Sequence, residues 1–412
     1  DDEEFYIPRI MSINNTQQFY REAMNYLYYY NNVRKHSSLQ GKTPFQIVQD
    51  KCRNIDVRMR IVPPIILDRV SVDLGPWSGY HVLAQYLNKE KSENTPRMNL
   101  TLNQIFTSSH EWTATLSAEK SSIIIATGDV IPARSVNFMS WKNRNFMWPF
   151  EKISDTLKNA DITLINLESP LIDNCPLTNS GMIFCGDKKH IEGLVFSGVD
   201  VANLANNHMT NQGYEGIIST RDLLNSRGIE TIGLNNIAVK KIRDIRFAFL
   251  AYEDVEKTNV SISLAEDDKL SEEIKRSKTI SDVIIVSFHW GIEYTTQPSE
   301  RQRHLAHLAI DEGADFVIGN HPHWIQPVEI YKNKLITYAH GNLVFDQMWS
   351  EKTKLGIVGK YIFYEDKLID VEFLPLKIIN FGQPYFLEGE EKNKIIEDLN
   401  KESLILNSKN TN

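Results

Sequence analysis

The sequence predicts an α/β layered fold for the larger, C-terminal part of this 412-residue chain. From about Leu100, short β-rich runs alternate with amphipathic helical stretches. The runs are apolar along most of their length, which is typical of strands that are covered by helices on both faces. Ligands in such folds gather at the carboxyl ends of the strands, so functional side chains are expected there.

The alternation defines each predicted element in turn. Strands are predicted at residues 123–127, 162–166, 199–205, 247–251, 283–288, 316–318 and 335–339. Helices are predicted near residues 150–160, 187–197, 213–227, 269–279 and 299–312. The last helix has a clear start signal, because Ser299 can act as its N-cap and Gln302 follows three residues later.

The composition shifts along the chain and predicts four segments. Residues 1–87 form a small, mainly helical segment, in which Thr43, Pro44 and Gln46 together mark a helix start. Residues 88–110 are polar and are predicted to be a linker, residues 111–385 form the α/β domain, and residues 386–412 form a C-terminal helical tail.

Composition and charge exclude several classes of protein. Hydrophobic residues make up 42% of the chain and charged residues 24%, as in ordinary globular proteins. The net charge of −8 disfavours a nucleic-acid partner, which would require basic surface. No apolar run approaches the roughly 18 residues of a membrane span, and the acidic start at residues 1–4 is unlike a signal peptide.

Two of the three cysteines, Cys175 and Cys185, lie close together in a turn-rich stretch, whereas Cys52 stands apart. A small disulfide-closed loop is one interpretation of the close pair, and two free thiols are the other. A disulfide would indicate an oxidising compartment.

Polar side chains follow five of the seven predicted strands of the α/β domain. They are Asp129, Glu168, Asn207 with His208, His289, and the pair His321 and His323. Each has an ordinary explanation alone, as a turn former or a packed histidine. Together they offer the oxygen and nitrogen donors that suit Mn²⁺, Fe²⁺ or Zn²⁺, so a divalent metal site is predicted and polar loops without metal are the alternative.

Over residues 110–380 the ordered motifs GDV, NLESPL, LANNH, HWGIEY, GNHPHWIQP and YAHGNLVFDQ resemble those of the CapA capsule-synthesis family. That family carries the poly-γ-glutamate synthesis domain and belongs to the calcineurin-like metallophosphoesterase superfamily. The resemblance implies a four-layer αββα sandwich with a metal site on its strand ends. It also implies an extracytoplasmic or cell-surface location, although no signal peptide or anchor is expected in this chain.

The resemblance further implies a role for each motif residue. Asp129 would bind one metal ion, Glu168 would bridge two, and His323 would return to the first. Asn207 would be an amide ligand that, with His289 and His321, completes the second metal site. His208, the neighbour of Asn207, would be the catalytic general acid.

The first motif departs from the superfamily pattern at Ile131, where a histidine is usual. The first metal site is therefore short of a ligand. Either another group fills the position, or only one metal ion binds tightly.

Further polar residues are expected around the site. Arg134 could clamp a carboxylate or phosphate of the substrate, or could form a surface ion pair. Four residues are expected at the rim as supporting or substrate-contacting groups, namely Glu293, Gln326, His340 and Asn342. His304 and His307 match no motif and are predicted to be solvated or structural.

A second resemblance concerns residues 15–75. The stretch YYYNNVRKHSSLQGKTPFQIV is similar to the C-terminal end of the catalytic core of integrase-type transposases. The acidic triad of those enzymes should lie mostly upstream of this stretch, so no transposase activity is expected.

The preferred function is that of a CapA-type protein in the synthesis, modification or export of poly-γ-glutamate or a related acidic surface polymer. Its partners would be that polymer and other capsule-synthesis proteins. One alternative is a generic metal-dependent phosphoesterase that acts on a small phosphorylated substrate. The absence of a histidine at Ile131 weakens this alternative. The other is a non-catalytic surface scaffold.

Overall fold

The computed structural model describes residues 29–30, 33–35, 39–51, 100–107, 109–256 and 261–408. The chain divides into two compact units, Asp1–Asn94 and Thr95–Asn412. In the first unit, helix α1 (Pro44–Lys51) begins where predicted. Thr43 Oγ1 accepts a hydrogen bond from the backbone N–H of Gln46, and Gln46 Oε1 accepts one from that of Thr43. Most of the predicted transposase-like segment lies outside the described residues.

The second unit contains sixteen strands among its described residues. They are β1 (Ser121–Val130), β2 (Ile162–Leu167), β3 (Leu171–Ile172), β4 (Gly186–Asp187), β5 (Val201–Asn203), β6 (Glu230–Ile232), β7 (Ala238–Ile242), β8 (Ile245–Glu253), β9 (Val283–His289), β10 (Phe316–Asn320), β11 (Ile325–Tyr331), β12 (Lys334–His340), β13 (Asn342–Val344), β14 (Leu355–Tyr364), β15 (Lys367–Ile379) and β16 (Gln383–Phe386).

The helices of the second unit are distributed between and after these strands. They are α2 (Leu102–Thr107), α3 (Ser135–Lys142), α4 (Ser154–Leu157), α5 (Ile191–Phe196), α6 (Gly213–Asn225), α7 (Asp267–Ser277), α8 (Glu300–Glu312) and α9 (Gly389–Ser408). Short 3-10 helices cover Glu111–Thr115, Trp148–Phe150, Lys188–His190, Asn207–Gln212 and Lys352–Lys354.

The strands form two large sheets and one small one. The first sheet has the order β16-β15-β14-β1-β2-β5-β6, and β13 also pairs with β1. Its β1, β2, β5 and β6 are parallel, whereas β14 to β16 run antiparallel to their neighbours. The second sheet has the order β11-β12-β10-β9-β8-β7. Its four central strands, β12, β10, β9 and β8, are parallel to one another. Strands β3 and β4 form the small sheet.

The two large sheets pack face to face. Phe247 of β8 meets Phe363 of β14 edge-on at 5.3 Å between ring centroids, and Phe316 of β10 lies 4.3 Å from Tyr361 of β14. On the outer face of the second sheet, Ile284 packs in one cluster with Ile274 of α7 and Leu305 of α8. Helices α5 and α6 contribute buried side chains to the core around the first sheet. The predicted αββα sandwich is confirmed.

The sequence did not predict several elements, chiefly α3 and the antiparallel strands β14, β15 and β16. Strand β14 has polar Lys360 within it, and β15 mixes Asp370 and Glu372 with apolar residues. Such strands lack the continuous apolar run that marks a parallel central strand.

The predicted linker differs from the structure in its last part. Residues 88–99 lie outside the described residues, but Leu100 and Ile105 are buried in the core of the second unit. Phe106 of α2 stacks on Phe373 of β15, with 6.0 Å between ring centroids. These apolar side chains give α2 a face to bury, so it packs on the sheet.

The C-terminal helix α9 covers an edge of the second sheet. The backbone N–H of Val328 on β11 donates to Ser403 Oγ at 3.0 Å, and that of Ile330 donates to Asn407 Oδ1 at 2.9 Å. Leu399 and Leu406 of the same helix are buried. Among the described residues, no helix combines the length and the apolar character that a membrane span requires.

Candidate metal centre

The six side chains predicted as metal ligands come from the ends of strands in both large sheets. Asp129 lies in β1, Glu168 directly follows β2, and Asn207 lies beyond β5. His289 ends β9 in the second sheet, and His321 and His323 follow β10. All six are buried, and Asn207 is the most exposed at 9%.

One half of the cluster surrounds His289 Nε2. This atom lies 3.0 Å from Asn207 Oδ1, 3.1 Å from His321 Nδ1 and 3.5 Å from Glu168 Oε1. Ligand atoms of Glu168, His289 and His321 all lie within 4.8 Å of one another. Four donor groups therefore face a common volume.

The other half surrounds His323 Nδ1. This atom lies 3.1 Å from Asp129 Oδ2 and 2.9 Å from Asn342 Oδ1. Ligand atoms of Asp129, Glu168 and His323 also lie within 4.8 Å of one another. Glu168 is thus common to both groups of donors.

The electrostatics of the cluster fit a cation. Both carboxylate oxygens of Glu168 are buried and have no hydrogen-bond partner among the described residues. Burial, and then the nearby Asp129 carboxylate, hold the pKa of Glu168 well above its usual range. A buried carboxylate with no donor is costly, and a divalent ion would supply the missing partner. This buried group of Asp, Glu and His residues is compatible with a metal site.

Burial favours the neutral form of two of the histidine ligands. Burial, and then His321, hold the pKa of His289 well below its usual range. Burial, and then His323, lower the pKa of His321 to about 3. A neutral imidazole keeps the nitrogen lone pair that binds a metal.

The backbone at the strand ends is shaped for this cluster. His321 has φ of +97° and His323 has φ of +57°, which are strained for residues that carry a Cβ. Gly128 allows the backbone of β1 to approach β13, because a Cβ there would lie 2.2 Å from the carbonyl oxygen of Gly341. This approach pairs Asp129 with Asn342 across the two strands.

His208, the predicted general acid, lies beside the ligands. Its Nε2 is 4.0 Å from Glu168 Oε1, and its Nδ1 donates to Asn211 Oδ1 at 3.0 Å. The ring stacks on Phe184 with 4.1 Å between centroids. Burial lowers the pKa of His208 and thereby favours its neutral form.

Arg134 is held tightly near His208. Its guanidinium pairs with the Asp346 carboxylate and donates to the carbonyl oxygen of Gly181 at 3.1 Å. It also lies 4.9 Å from the ring centroids of Phe184 and Phe345. The ion pair with Asp346 is mostly buried, since the Arg134 side chain is 14% exposed.

The four expected rim residues separate into two groups. Asn342 belongs to the cluster itself, and the Glu293 carboxylate raises the pKa of Glu168 as a lesser cause after burial and Asp129. His340 and Gln326 are buried in the core rather than at a rim. Burial lowers the pKa of His340 to about 4, and the Gly319 carbonyl and the Asp129 carboxylate oppose that shift, so His340 lies within electrostatic reach of the cluster. His340 Nε2 lies 2.7 Å from the Tyr361 hydroxyl, and Gln326 is bonded to Gln302 and Thr295.

The two histidines on α8, which were predicted to be solvated or structural, each contact a carboxylate outside the metal cluster, and the His304 side chain is 52% exposed. His304 Nε2 lies 2.5 Å from Asp267 Oδ2. His307 Nε2 lies 2.7 Å from Glu329 Oε1, and its ring stacks on Tyr331 with 3.8 Å between centroids.

Sequence reasoning missed two supporting residues. Asn166 Nδ2 donates to Asp129 Oδ1 at 2.8 Å and lies 3.1 Å from His289 Nδ1, which links ligands of the two sheets. Its signal was the amide at the end of the predicted strand, two residues before Glu168. Glu253, which ends β8 and pairs in register with His289, is also buried, and burial raises its pKa to about 8. A carboxylate at yet another strand end was the available signal.

Comparison with known proteins agrees with the motif series. The family model described as bacterial capsule synthesis protein PGA_cap matches residues 123–347. The capsule biosynthesis protein CapA of Bacillus anthracis is 28% identical over 277 residues, which cover 62% of this chain and 67% of that protein. The PGA biosynthesis protein CapA of Bacillus subtilis is 26% identical over 272 residues, covering 62% and 71%.

Solved structures of lower similarity include a phosphatase from Mycoplasma pneumoniae, with 17% identity and a TM-score of 0.42, covering 62% of this chain and 94% of that one. The family match is the informative comparison, because it spans more than half of the 412 residues. The chain therefore belongs to the bacterial capsule synthesis protein family PGA_cap.

Proposed function

We propose that this protein acts in the synthesis, modification or export of poly-γ-glutamate or a related acidic surface polymer, through a divalent-metal site. The observation that carries the proposal is the buried Glu168, whose carboxylate has no hydrogen-bond partner among the described residues and is shared by two groups of ligand atoms. Membership of the capsule synthesis family supports the polymer as the substrate class.

Each metal ion would have its own set of protein ligands. Glu168, Asn207, His289 and His321 would hold one ion, and Asp129, Glu168 and His323 would hold the other. Asn342 would complete the set that contains Asp129, which lacks a ligand because Ile131 stands where a histidine is usual. Asn342 Oδ1 lies 2.9 Å from His323 Nδ1. Mixed oxygen and nitrogen donors suit Mn²⁺, Fe²⁺ or Zn²⁺.

When bound, such ions act as Lewis acids that lower the pKa of water and offset negative charge on the attacked group. The protein itself would move the proton at His208. Because Nδ1 of His208 is engaged by Asn211, Nε2 is the atom free to exchange a proton with a substrate. Arg134 would orient an acidic group of the substrate, with Asp346 fixing its guanidinium.

The oxygen and nitrogen donor set also suits phosphoester hydrolysis, which is the second candidate function. The two functions differ in substrate. For the polymer, other capsule-synthesis proteins at the cell surface would be the partners, and a non-catalytic scaffold would need neither substrate.

Turnover assays separate these functions. The full chain with Mn²⁺ is incubated with γ-linked glutamate oligomers and, separately, with bis-p-nitrophenyl phosphate. We expect turnover of the oligomers by wild type and by the surface control His304→Ala, and no turnover by Asp129→Ala. Turnover of the phosphodiester alone, lost in Asp129→Ala, would overturn the polymer proposal, and no turnover of either would favour the scaffold.

A further inference from the structure

A disulfide-closed loop lies against the candidate metal centre. Cys175 and Cys185 are joined by a disulfide, one of the two interpretations that the sequence left open, with Cα atoms 5.8 Å apart. The loop is also tied to α3, because Asn137 Nδ2 lies 3.6 Å from Cys175 Sγ. Directly after the loop, Gly186 donates its backbone N–H to the carbonyl oxygen of Pro170 at 2.8 Å. Both ends of the loop are thus fixed to the body of the fold.

Apolar residues of the loop face opposite ways. Met182 and Ile183 are 60% and 72% exposed, whereas Phe184, which precedes the disulfide, is 1% exposed. Phe184 packs in a small cluster with Ile131, Ala133 and Phe345. Of Met182, Ile183 and Phe184, only Phe184 turns inward, and it directly precedes the disulfide-bonded Cys185.

Phe184 and His208 are joined by two sets of contacts. Their rings stack with centroids 4.1 Å apart and planes inclined by 30°. Both residues also donate to the same acceptor, since Asn211 Oδ1 receives the Phe184 backbone N–H at 2.7 Å and His208 Nδ1 at 3.0 Å. Gln212 Nε2 donates to the carbonyl oxygen of Phe184 at 3.1 Å and fixes the segment further.

Other contacts hold Phe184 in place. Phe345 meets its ring edge-on at 5.8 Å, and the Arg134 guanidinium lies 4.9 Å from its centroid. Arg134 also binds the loop through the carbonyl oxygen of Gly181 at 3.1 Å. The ring thus has little freedom to leave His208 while the loop is closed.

We infer that Phe184, held by the Cys175–Cys185 loop, is a positioning residue that fixes the His208 imidazole beside Glu168. The inference rests on the proposed function for the role of His208. Phe184 itself has no group that could transfer a proton, so it acts only by restricting the ring. A leucine there would keep apolar volume but would not supply a flat surface for the imidazole.

Histidine-labelled full-length protein without metal tests this by NMR. We expect the carbon-bound ring protons of His208 to resonate upfield in the oxidised protein, because they lie over the face of Phe184. Reduction, or the pair Cys175→Ser and Cys185→Ser, should move them towards the values of a free imidazole. Assignment uses His208→Gln, which removes one of the 11 histidine signals.

A second measurement separates positioning from mere proximity. The Nδ1 proton of His208, bonded to Asn211, should be protected from exchange with solvent in wild type and lose that protection in Phe184→Leu. Phe184→Tyr should restore it, and the exposed Ile183→Ser should leave it unchanged. The buried His340 signals report whether each variant is folded.

Retained protection in a folded Phe184→Leu would overturn the role of Phe184. Ring-proton shifts that do not respond to reduction would overturn the role of the loop. Neither measurement needs a substrate or a metal ion, so failure here is distinct from failure of the turnover assays.

Discussion

The environment of Glu168 reflects the chemistry of the whole site. Its carboxylate is fully buried, and neither oxygen has a hydrogen-bond partner among the described residues. Proteins rarely leave a buried charge unpaired, because the desolvation cost is not repaid. Its pKa is raised by burial first and by Asp129 second. Burial therefore favours the neutral form of this group in the metal-free protein.

Replacing Glu168 with glutamine should separate metal binding from folding. Glu168→Gln keeps the shape of the side chain and removes the acid, so the metal-free protein should unfold at about the wild-type temperature. Its Mn²⁺ affinity should fall by more than the roughly 10–100-fold that follows loss of an outer-shell partner. Calorimetric titration and thermal unfolding measure the two effects, with exposed Glu215→Gln as the control.

His190 predicts a pH dependence that does not involve the metal ligands. Burial lowers its pKa to about 3, and its Nδ1 has no partner among the described residues. The unfolded chain, with an ordinary histidine pKa of about 6.5, binds the proton more readily. Stability is therefore full above about pH 6.5 and is lost as the pH falls towards 3.

Between pH 7 and pH 5 this residue should cost about 2 kcal/mol of unfolding free energy. Urea unfolding at the two pH values measures the loss, and His190→Gln should show a smaller one. Equal losses in the two proteins would mean that His190 does not control the slope.

At the residue scale, the sequence predicted the donors better than their supports. Asp129, Glu168 and the three histidines could be found because each follows a recognisable strand. Asn342 was expected only at the rim and Phe184 was not predicted, because they reach the cluster through the pairing of β13 with β1 and through a disulfide loop. Local sequence does not predict which strands pair or where a loop runs.

Helix α8 is the element whose start was predicted most directly from local sequence. Ser299 Oγ accepts the backbone N–H of Gln302 at 3.2 Å, and Gln302 Oε1 accepts that of Ser299 at 2.9 Å, which completes a capping box. Both contacts lie within four residues, so local sequence is enough to predict them. The antiparallel strands β14 to β16 lacked a comparable signal, because their pairing partners lie far along the chain.

Removal of the cap should have a modest and specific cost. Ser299→Ala leaves an N–H group at the start of α8 unsatisfied and should lower the unfolding free energy by about 1 kcal/mol. Ser299→Asp, which keeps an oxygen acceptor, should remain close to wild type. Chemical denaturation measures both, and an equal loss in the two variants would contradict the capping role.

At the scale of the whole molecule, the site joins the two sheets. Asp129, Glu168 and Asn207 come from the first sheet, and three histidines come from the second. A bound cation would therefore link the sheets at their strand ends. Sequence alternation predicted an α/β fold, but only the family resemblance implied two stacked sheets, because the division of strands between sheets depends on long-range pairing.

Metal binding should consequently stabilise the whole second unit. At 1,000 times the dissociation constant, a single ion should add about 4 kcal/mol to the unfolding free energy. Thermal unfolding with Mn²⁺ and after chelation measures the gain. Asn207→Ala in one sheet and His321→Ala in the other each remove a ligand of the same ion, so each should abolish most of the gain from that ion. A gain as large as that of the wild type in either variant would argue against a site shared between the sheets.

Helix α9 has its own prediction at this scale. Asn407 Oδ1 accepts from Ile330, and its Nδ2 donates to the carbonyl oxygen of Val328, both at 2.9 Å. These bonds occupy the backbone of edge strand β11, which could otherwise pair with another chain. Asn407→Ala should increase aggregation in light scattering during mild heating, whereas exposed Leu404→Ala, on the same helix, should not.

The position of α9 also bears on biosynthesis. Strand β11 is translated some seventy residues before Ser403 and Asn407, the side chains that occupy its outer backbone groups. During that interval the backbone N–H groups of Val328 and Ile330, at the edge of the nascent second sheet, lack the hydrogen-bond partners that α9 supplies. A ribosome stalled before residue 403 would therefore carry a nearly finished sandwich whose β11 edge is open to pairing with another chain.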